Sequence, residues 1–139
     1  FREAEKKADE LVISKDWTGR TILVADDEID TLRYLNKVLS GTGINIIHAR
    51  SQQEITDILK GKEHIDLVLI NMQMQEAGSR ETLTKIRELD TDIPVVAQTS
   101  FIVKQDHDDL IKAGCNACLV KPVGHEQLLS VISGFIDND

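Results

Sequence analysis

Thr21-Ile22-Leu23-Val24-Ala25-Asp26-Asp27-Glu28, TILVADDE, sets four aliphatic residues side by side and then changes at once to three carboxylates. A strand with one face in water alternates polar and apolar residues. A strand this continuously apolar is buried on both faces, the condition of a parallel sheet covered by helices. Four more short runs repeat the pattern, at residues 44–48, 66–70, 94–98 and 118–120. Segments of helical period lie between them. Strict alternation of the two predicts a three-layer α/β domain of five parallel strands joined by right-handed crossovers.

The helical segments carry their own punctuation. Leu32, Leu35, Val38 and Leu39 share one stripe that ends at Gly41 or Gly43, where a left-handed residue costs least. Ser51 and Glu54 stand as a capping box, each able to satisfy a backbone donor of the other, with Ile55, Ile58 and Leu59 behind them. Leu83, Ile86 and Leu89 mark a third helix, Leu110 and Ile111 a fourth that stops at Gly114, and Leu128, Ile132 and Ile136 the last.

Residues 1–18 fall outside this alternation and are expected to form a linker or connecting helix, with the domain proper at 19–139. Phe1, Ala4, Ala8 and Leu11 lie at helical spacing, but the stripe is thin among many charges, which suits a solvated linker better than a docking helix. Starting at Phe1 rather than Met, the sequence is expected to be a module of something longer. With 139 residues, 41% of them hydrophobic, the chain has material for one core. Only 4% are aromatic, so that core is aliphatic. Sixteen basic against 24 acidic residues give a net charge of −8, which repels nucleic acid and anionic membranes. No apolar run approaches the roughly 20 residues of a membrane span, and no cleavable leader pattern opens the chain, so a cytoplasmic protein is expected.

Ligands of open α/β sheets bind beyond the carboxyl ends of the strands. The residues there are Asp26, Asp27 and Glu28 after the first run, Asn71 after the third, Thr99 and Ser100 after the fourth, and Lys121 and Pro122 after the fifth. Adjacent carboxylates repel unless a cation separates them, and two of them with waters suit octahedral Mg²⁺. Alone, the pair would more often be a turn and a helix start. A hydroxyl from Thr99 and an ammonium from Lys121 converging on the same mouth would suit a phosphoryl group.

TILVADDE, DLVLINMQMQ, VVAQTS and AGCNACLVKP, in this order and on these elements, resemble the receiver domains of two-component signalling from about Thr21 to the end of the chain. The resemblance implies a flavodoxin-like (βα)5 fold with strand order 2-1-3-4-5. It makes Asp26 and Asp27 the acidic metal pair, Gln73 a backbone carbonyl ligand to Mg²⁺, Thr99 the switch hydroxyl and Lys121 the family's lysine, with a cis bond to Pro122. Its partners would be a histidine kinase or phosphotransfer protein, or a second copy through the fourth helix, fifth strand and fifth helix. The stretch DWTGRTILVADDE after a charged segment also resembles the junction ahead of receivers at the C-terminus of hybrid histidine kinases.

One substitution stands against that pattern. Asn71 occupies the place of the aspartate that accepts phosphate, and an amide has neither the charge of a nucleophilic carboxylate oxygen nor a comparable acyl phosphate product. Loss of one carboxylate also weakens the expected Mg²⁺ site. Either this is a naturally degenerate receiver or an aspartate has been deliberately replaced. Gln75 in place of the usual proline, the poor match of residues 77–79 and Cys118 in place of the usual aromatic switch favour the first; the intact Asp26, Asp27, Thr99 and Lys121 favour the second. The expected function is thus a non-enzymatic receiver module, phosphorylation-deficient as written, acting through protein contacts. The alternative is a phosphoryl-accepting receiver in a hybrid kinase phosphorelay, with Asp at position 71 in the parent protein or another acceptor nearby such as Ser100.

Cys115-Asn116-Ala117-Cys118 has the spacing of a redox or zinc motif, but Cys118 opens an apolar strand instead of a helix, and no second cysteine pair exists. Both thiols are expected to be small buried residues. His48, His64, His107 and His125 are scattered and are read as surface or packing residues.

Overall fold

The computed structural model describes residues 16–73, 80–100 and 104–137. The connecting-helix expectation falls almost wholly outside these residues, as does the loop containing Gln75 and residues 77–79. Five strands, β1 (Thr21–Ala25), β2 (Asn45–Ala49), β3 (Leu67–Asn71), β4 (Val95–Thr99) and β5 (Ala117–Val120), form one parallel sheet in the order β2-β1-β3-β4-β5. They alternate with α1 (Ile29–Leu39), α2 (Gln52–Lys60), α3 (Arg80–Leu89), α4 (Lys104–Ala113) and α5 (His125–Ile136). Fold and strand order are those expected from the sequence.

Side chains alternate across a strand, so each strand feeds two cores. Ile22 and Val24 of β1, Leu67 and Leu69 of β3, and Val96 of β4 pack against α1 and α5. Leu23 and Ala25, Val68 and Ile70, and Val95 and Ala97 face the opposite core with α2, α3 and α4. Strands β1, β3 and β4 are buried at every position, whereas β2 and β5 are only partly buried because they form the edges. Truncating a fully buried leucine such as Leu35 or Leu69 to alanine costs about 2–5 kcal/mol.

Three strands sit one residue later than the apolar runs suggest. β2 begins at Asn45, β3 at Leu67 and β4 at Val95, so Asn71 and Thr99 are the last residues of their strands instead of the first beyond them. Apolar composition stops before the ladder does, since backbone pairing accepts a polar side chain where the sheet opens into a site. The capping box is also displaced. Ser51 Oγ accepts from the Glu54 N–H at 3.2 Å, but Glu54 Oε2 accepts from the N–H of Arg50, not of Ser51, at 3.1 Å. After α1, both Gly41 and Gly43 take positive φ, 87° and 79°.

Trp17, in the segment expected to be a connector, is buried in the core of α1 and α5. Its indole N–H donates to Asp137 Oδ1 at 2.7 Å and its backbone N–H to the Thr42 carbonyl at 2.6 Å, so packing begins before residue 19. No helix among the described residues is long and apolar enough to cross a membrane.

Candidate functional site at the carboxyl edge of the sheet

Parity carries the polar residues to the site. Beyond Leu67 and Leu69, Asn71 continues the face turned to α1 and α5; Lys121 follows Leu119 in the same way, and Asp26 follows Val24. Parallel strands bring these three to one edge. Asp26 and Asn71 are each only 2% exposed, and Lys121 is half-buried.

Asn71 is the centre of the cluster. Its Oδ1 accepts from Lys121 Nζ at 2.6 Å and from the Gln73 N–H at 3.0 Å, while its Nδ2 donates to Asp26 Oδ1 at 3.2 Å. The orientation of the amide follows from chemistry. An ammonium and a backbone N–H can only donate, so the atom both of them meet is the oxygen, and the NH₂ is left facing the carboxylate. Asp26 Oδ1 also accepts from the Glu28 N–H at 2.9 Å, and His48 Nε2 meets the Asp26 carbonyl at 2.6 Å, which places the imidazole proton on Nε2. His48 therefore fixes the backbone under the site. Asp27, beside these buried groups, is exposed.

Thr99 is fully buried, and its Oγ1 accepts from Gln73 Nε2 at 3.1 Å. The other end of that amide, Gln73 Oε1, accepts from the Ser100 N–H at 3.1 Å. The sequence signals only a backbone role for Gln73, yet its side chain spans the hydroxyl expected to meet a phosphoryl group and the backbone donor beside it. Lys121–Pro122 is cis.

The arrangement can be tested against a divalent cation. A cation held between Asp26 and position 71 needs an oxygen from each, and the structure sets Asn71 Nδ2 toward Asp26. Turning the amide over would supply the oxygen but oppose Nδ2 to the Lys121 ammonium and the Gln73 N–H, donor against donors. A carboxylate can face both ways with its two oxygens; an amide cannot. The residues as arranged do not fit Mg²⁺. Among the described residues, no group of three His, Cys, Asp or Glu side chains is disposed to hold a metal ion.

Cys115 and Cys118 are unpaired thiols, Cys115 buried and Cys118 partly so. Burial, with Cys118 adding to it and Arg87 opposing, pushes the Cys115 thiol up to about 12; burial also raises Cys118. Such thiols stay protonated and are poor nucleophiles and poor metal ligands.

Comparison with known proteins agrees with the fold. A family model for the response regulator receiver domain matches residues 22–133. The polar-differentiation response regulator DivK of Brucella ovis is 28% identical over 122 residues, 86% of this chain and 97% of that protein. Among solved structures, the receiver domain of the sensor histidine kinase PA1611 from Pseudomonas aeruginosa, with a magnesium ion coordinated in its active site cleft, superposes with a TM-score of 0.76 at 18% identity, covering 86% of this chain and 99% of that one. The receiver domain of Ssk1 from Saccharomyces cerevisiae, solved with the histidine phosphotransfer protein Ypd1, gives a TM-score of 0.79 at 21% identity over 88% and 92% of the two chains. With most of its length matched by that family model and its strands in the same order, the chain belongs to the response regulator receiver domain family.

Proposed function

We propose that this chain is a receiver module that takes no phosphoryl group at position 71 and signals through protein contacts. One observation carries the proposal: the Asn71 amide is satisfied at both ends, by Lys121 on one side and Asp26 on the other. A receiver with a carboxylate there needs a cation to lie against Asp26; here the amide supplies the opposite partial charge from within the protein. Mg²⁺ then has little to gain, and its binding is weaker than in a receiver with three carboxylates. Gln73 supports the same reading, because its side chain occupies the Thr99 hydroxyl and the Ser100 N–H that an incoming phosphoryl group would use.

The partners that suit this module are a histidine kinase or phosphotransfer protein, as with Ssk1 and Ypd1, or a second copy through α4, β5 and α5, where Ile111 is 46% exposed. Its parent would be a hybrid histidine kinase, a reading supported by the PA1611 receiver, which comes from a sensor histidine kinase. Intact mass after incubation with acetyl phosphate and Mg²⁺ tests the proposal. No acid-labile phosphate is expected, and stoichiometric gain of one would overturn the reading. Charge reversal at Lys112 or Glu126 tests the contact face; association that survives both reversals would assign the interface elsewhere.

A further inference from the structure

Gln98 has no place in the phosphoryl site, and nothing in an aliphatic strand calls for it. It is the fourth residue of β4, an interior strand flanked by β3 and β5, and follows Val95, Val96 and Ala97. Parity turns it to the same side as Val96, toward α1 and α5. Only 6% of it is exposed, yet no buried side-chain nitrogen or oxygen among the described residues lacks a partner, so an amide that no neighbouring side chain engages keeps its contact with solvent. Its exposed fraction opens on a cleft of about 530 Å³ between α1 and the β5–α5 connection.

The cleft has the size and make-up of a ligand site. Tyr34, Leu35, Leu128, Pro122 and Val123 give it apolar walls, and Gln98 is a deep polar group offering both a donor and an acceptor. Tyr34 is 41% exposed, and its hydroxyl donates to the Val123 carbonyl at 3.0 Å, tying α1 to the β5–α5 connection across the cleft. Charge narrows the occupant further. Lys121 also lines the cleft, but its ammonium is held by Asn71, and Asp30 on the same lining disfavours an anion.

We infer that this cleft is a binding site for a small, uncharged, mostly apolar molecule whose amide-like edge pairs with the Gln98 side chain. The apolar walls bury the body of the ligand, and the two hydrogen bonds to Gln98 orient it. The inference does not depend on whether position 71 is phosphorylated.

Titration of the chain with benzamide, followed by amide and side-chain NMR shifts, tests the site. Saturable shifts are expected at the Gln98 side-chain amide, Tyr34 and Leu128. Replacing the amide by an apolar group of similar size, in Gln98→Leu and separately in Gln98→Met, should weaken benzamide about tenfold, corresponding to loss of roughly one net hydrogen bond. Benzoate, which has the same ring but carries a charge, should bind more weakly than benzamide. The inference is overturned by shifts that do not saturate, by benzamide affinity unchanged in both variants, or by benzoate binding more tightly than benzamide.

Discussion

The two ends of the sheet both bury polar side chains, but they connect them differently. At the amino end the partners are mostly backbone. Asp66 Oδ2 accepts from the Thr21 N–H at 2.8 Å; the Arg87 guanidinium donates to the Gly114 carbonyl at 2.9 and 2.7 Å and to the Ile93 carbonyl at 2.6 Å. Asn116 Oδ1 joins them, accepting from Arg87 at 2.7 Å and from the Val95 N–H at 2.9 Å. At the carboxyl end, Asp26, Asn71 and Lys121 are bonded side chain to side chain, as are Gln73 and Thr99, with the nearby Glu28, Gln73 and Ser100 N–H groups joining from adjoining loops. A side chain that binds backbone fixes where a strand or loop lies. Side chains that bind one another leave the backbone free to be paired by the sheet, and they can exchange partners without unfolding it. The first pattern staples the fold, and the second makes a site.

The largest effect expected from breaking this contrast is at Asn71. The Asn71→Asp change removes the NH₂ that meets Asp26 and sets a second carboxylate against the first at about the 3.2 Å now spanned by a hydrogen bond. Like charges that close destabilise one another unless a cation intervenes. The variant should therefore be less stable than the parent without metal and regain stability with Mg²⁺; saturation at a hundred times the dissociation constant is worth about 2.7 kcal/mol. The parent should respond little. Thermal unfolding with and without Mg²⁺ measures both, and an equal response from the two proteins would remove the amide from its central role. Phosphate uptake by the variant separates the two origins of Asn71. An otherwise intact site should accept phosphate readily, whereas a displacement of ~1 Å in a degenerate one can cost about 100-fold in rate.

At the other end the readout is stability instead of chemistry. Arg87→Ala removes the donors that hold the Gly114, Ile93 and Asn116 oxygens, and should destabilise the domain by about 2–4 kcal/mol in urea unfolding. Phosphate uptake by an Arg87→Ala, Asn71→Asp double variant should match that of Asn71→Asp alone while the protein is folded. A change in uptake would mean that the two ends are coupled. Gly114 belongs to the same staple. Its φ of 126° is strained for any side chain, and an added Cβ would lie 2.9 Å from Arg87 Cγ.

The amino-end staple is the part of the molecule least legible in sequence. Arg87 lies in a charged helical segment and looks like any solvated arginine, and the carbonyls it gathers come from loops whose meeting is decided by the tertiary fold. The layers were legible, because continuous aliphatic runs in β1 and β3 leave few other ways to be buried on both faces, whereas the strand order followed only from the resemblance to receiver domains. The occupants of the carboxyl end were legible as well. Position relative to each apolar run picks out Asp26, Asn71, Thr99 and Lys121. Their connections were not. That the Asn71 amide faces Lys121 with its oxygen, and that the Gln73 side chain bridges Thr99 and Ser100, depends on distances between three or four strands. Gln98 carried a usable signal, an amide in an otherwise apolar strand, that the motif around Thr99 obscures.

The smallest expected effect is at the thiols, which show that the amino end is closed. Cys115 follows Gly114 and is buried beside Arg87, and its thiol is held protonated up to about 12. In the unfolded chain it ionises near its ordinary value of 9.0. As pH rises past 9 the unfolded state loses this proton first, so the stability that the buried neutral thiol contributes is complete below about pH 9 and declines toward pH 12. Urea midpoints at pH 7.5 and pH 10.5 should therefore fall further for the parent than for Cys115→Ala. Reactivity gives the same answer by another route. The thiolate is the species that attacks a disulfide reagent, so half-exposed Cys118 should be labelled first, and Cys115 only as fast as the domain opens. Labelling of Cys115 at the rate of Cys118 in the folded protein would mean that this end of the sheet opens as readily as the site does, and the contrast between staple and site would not hold.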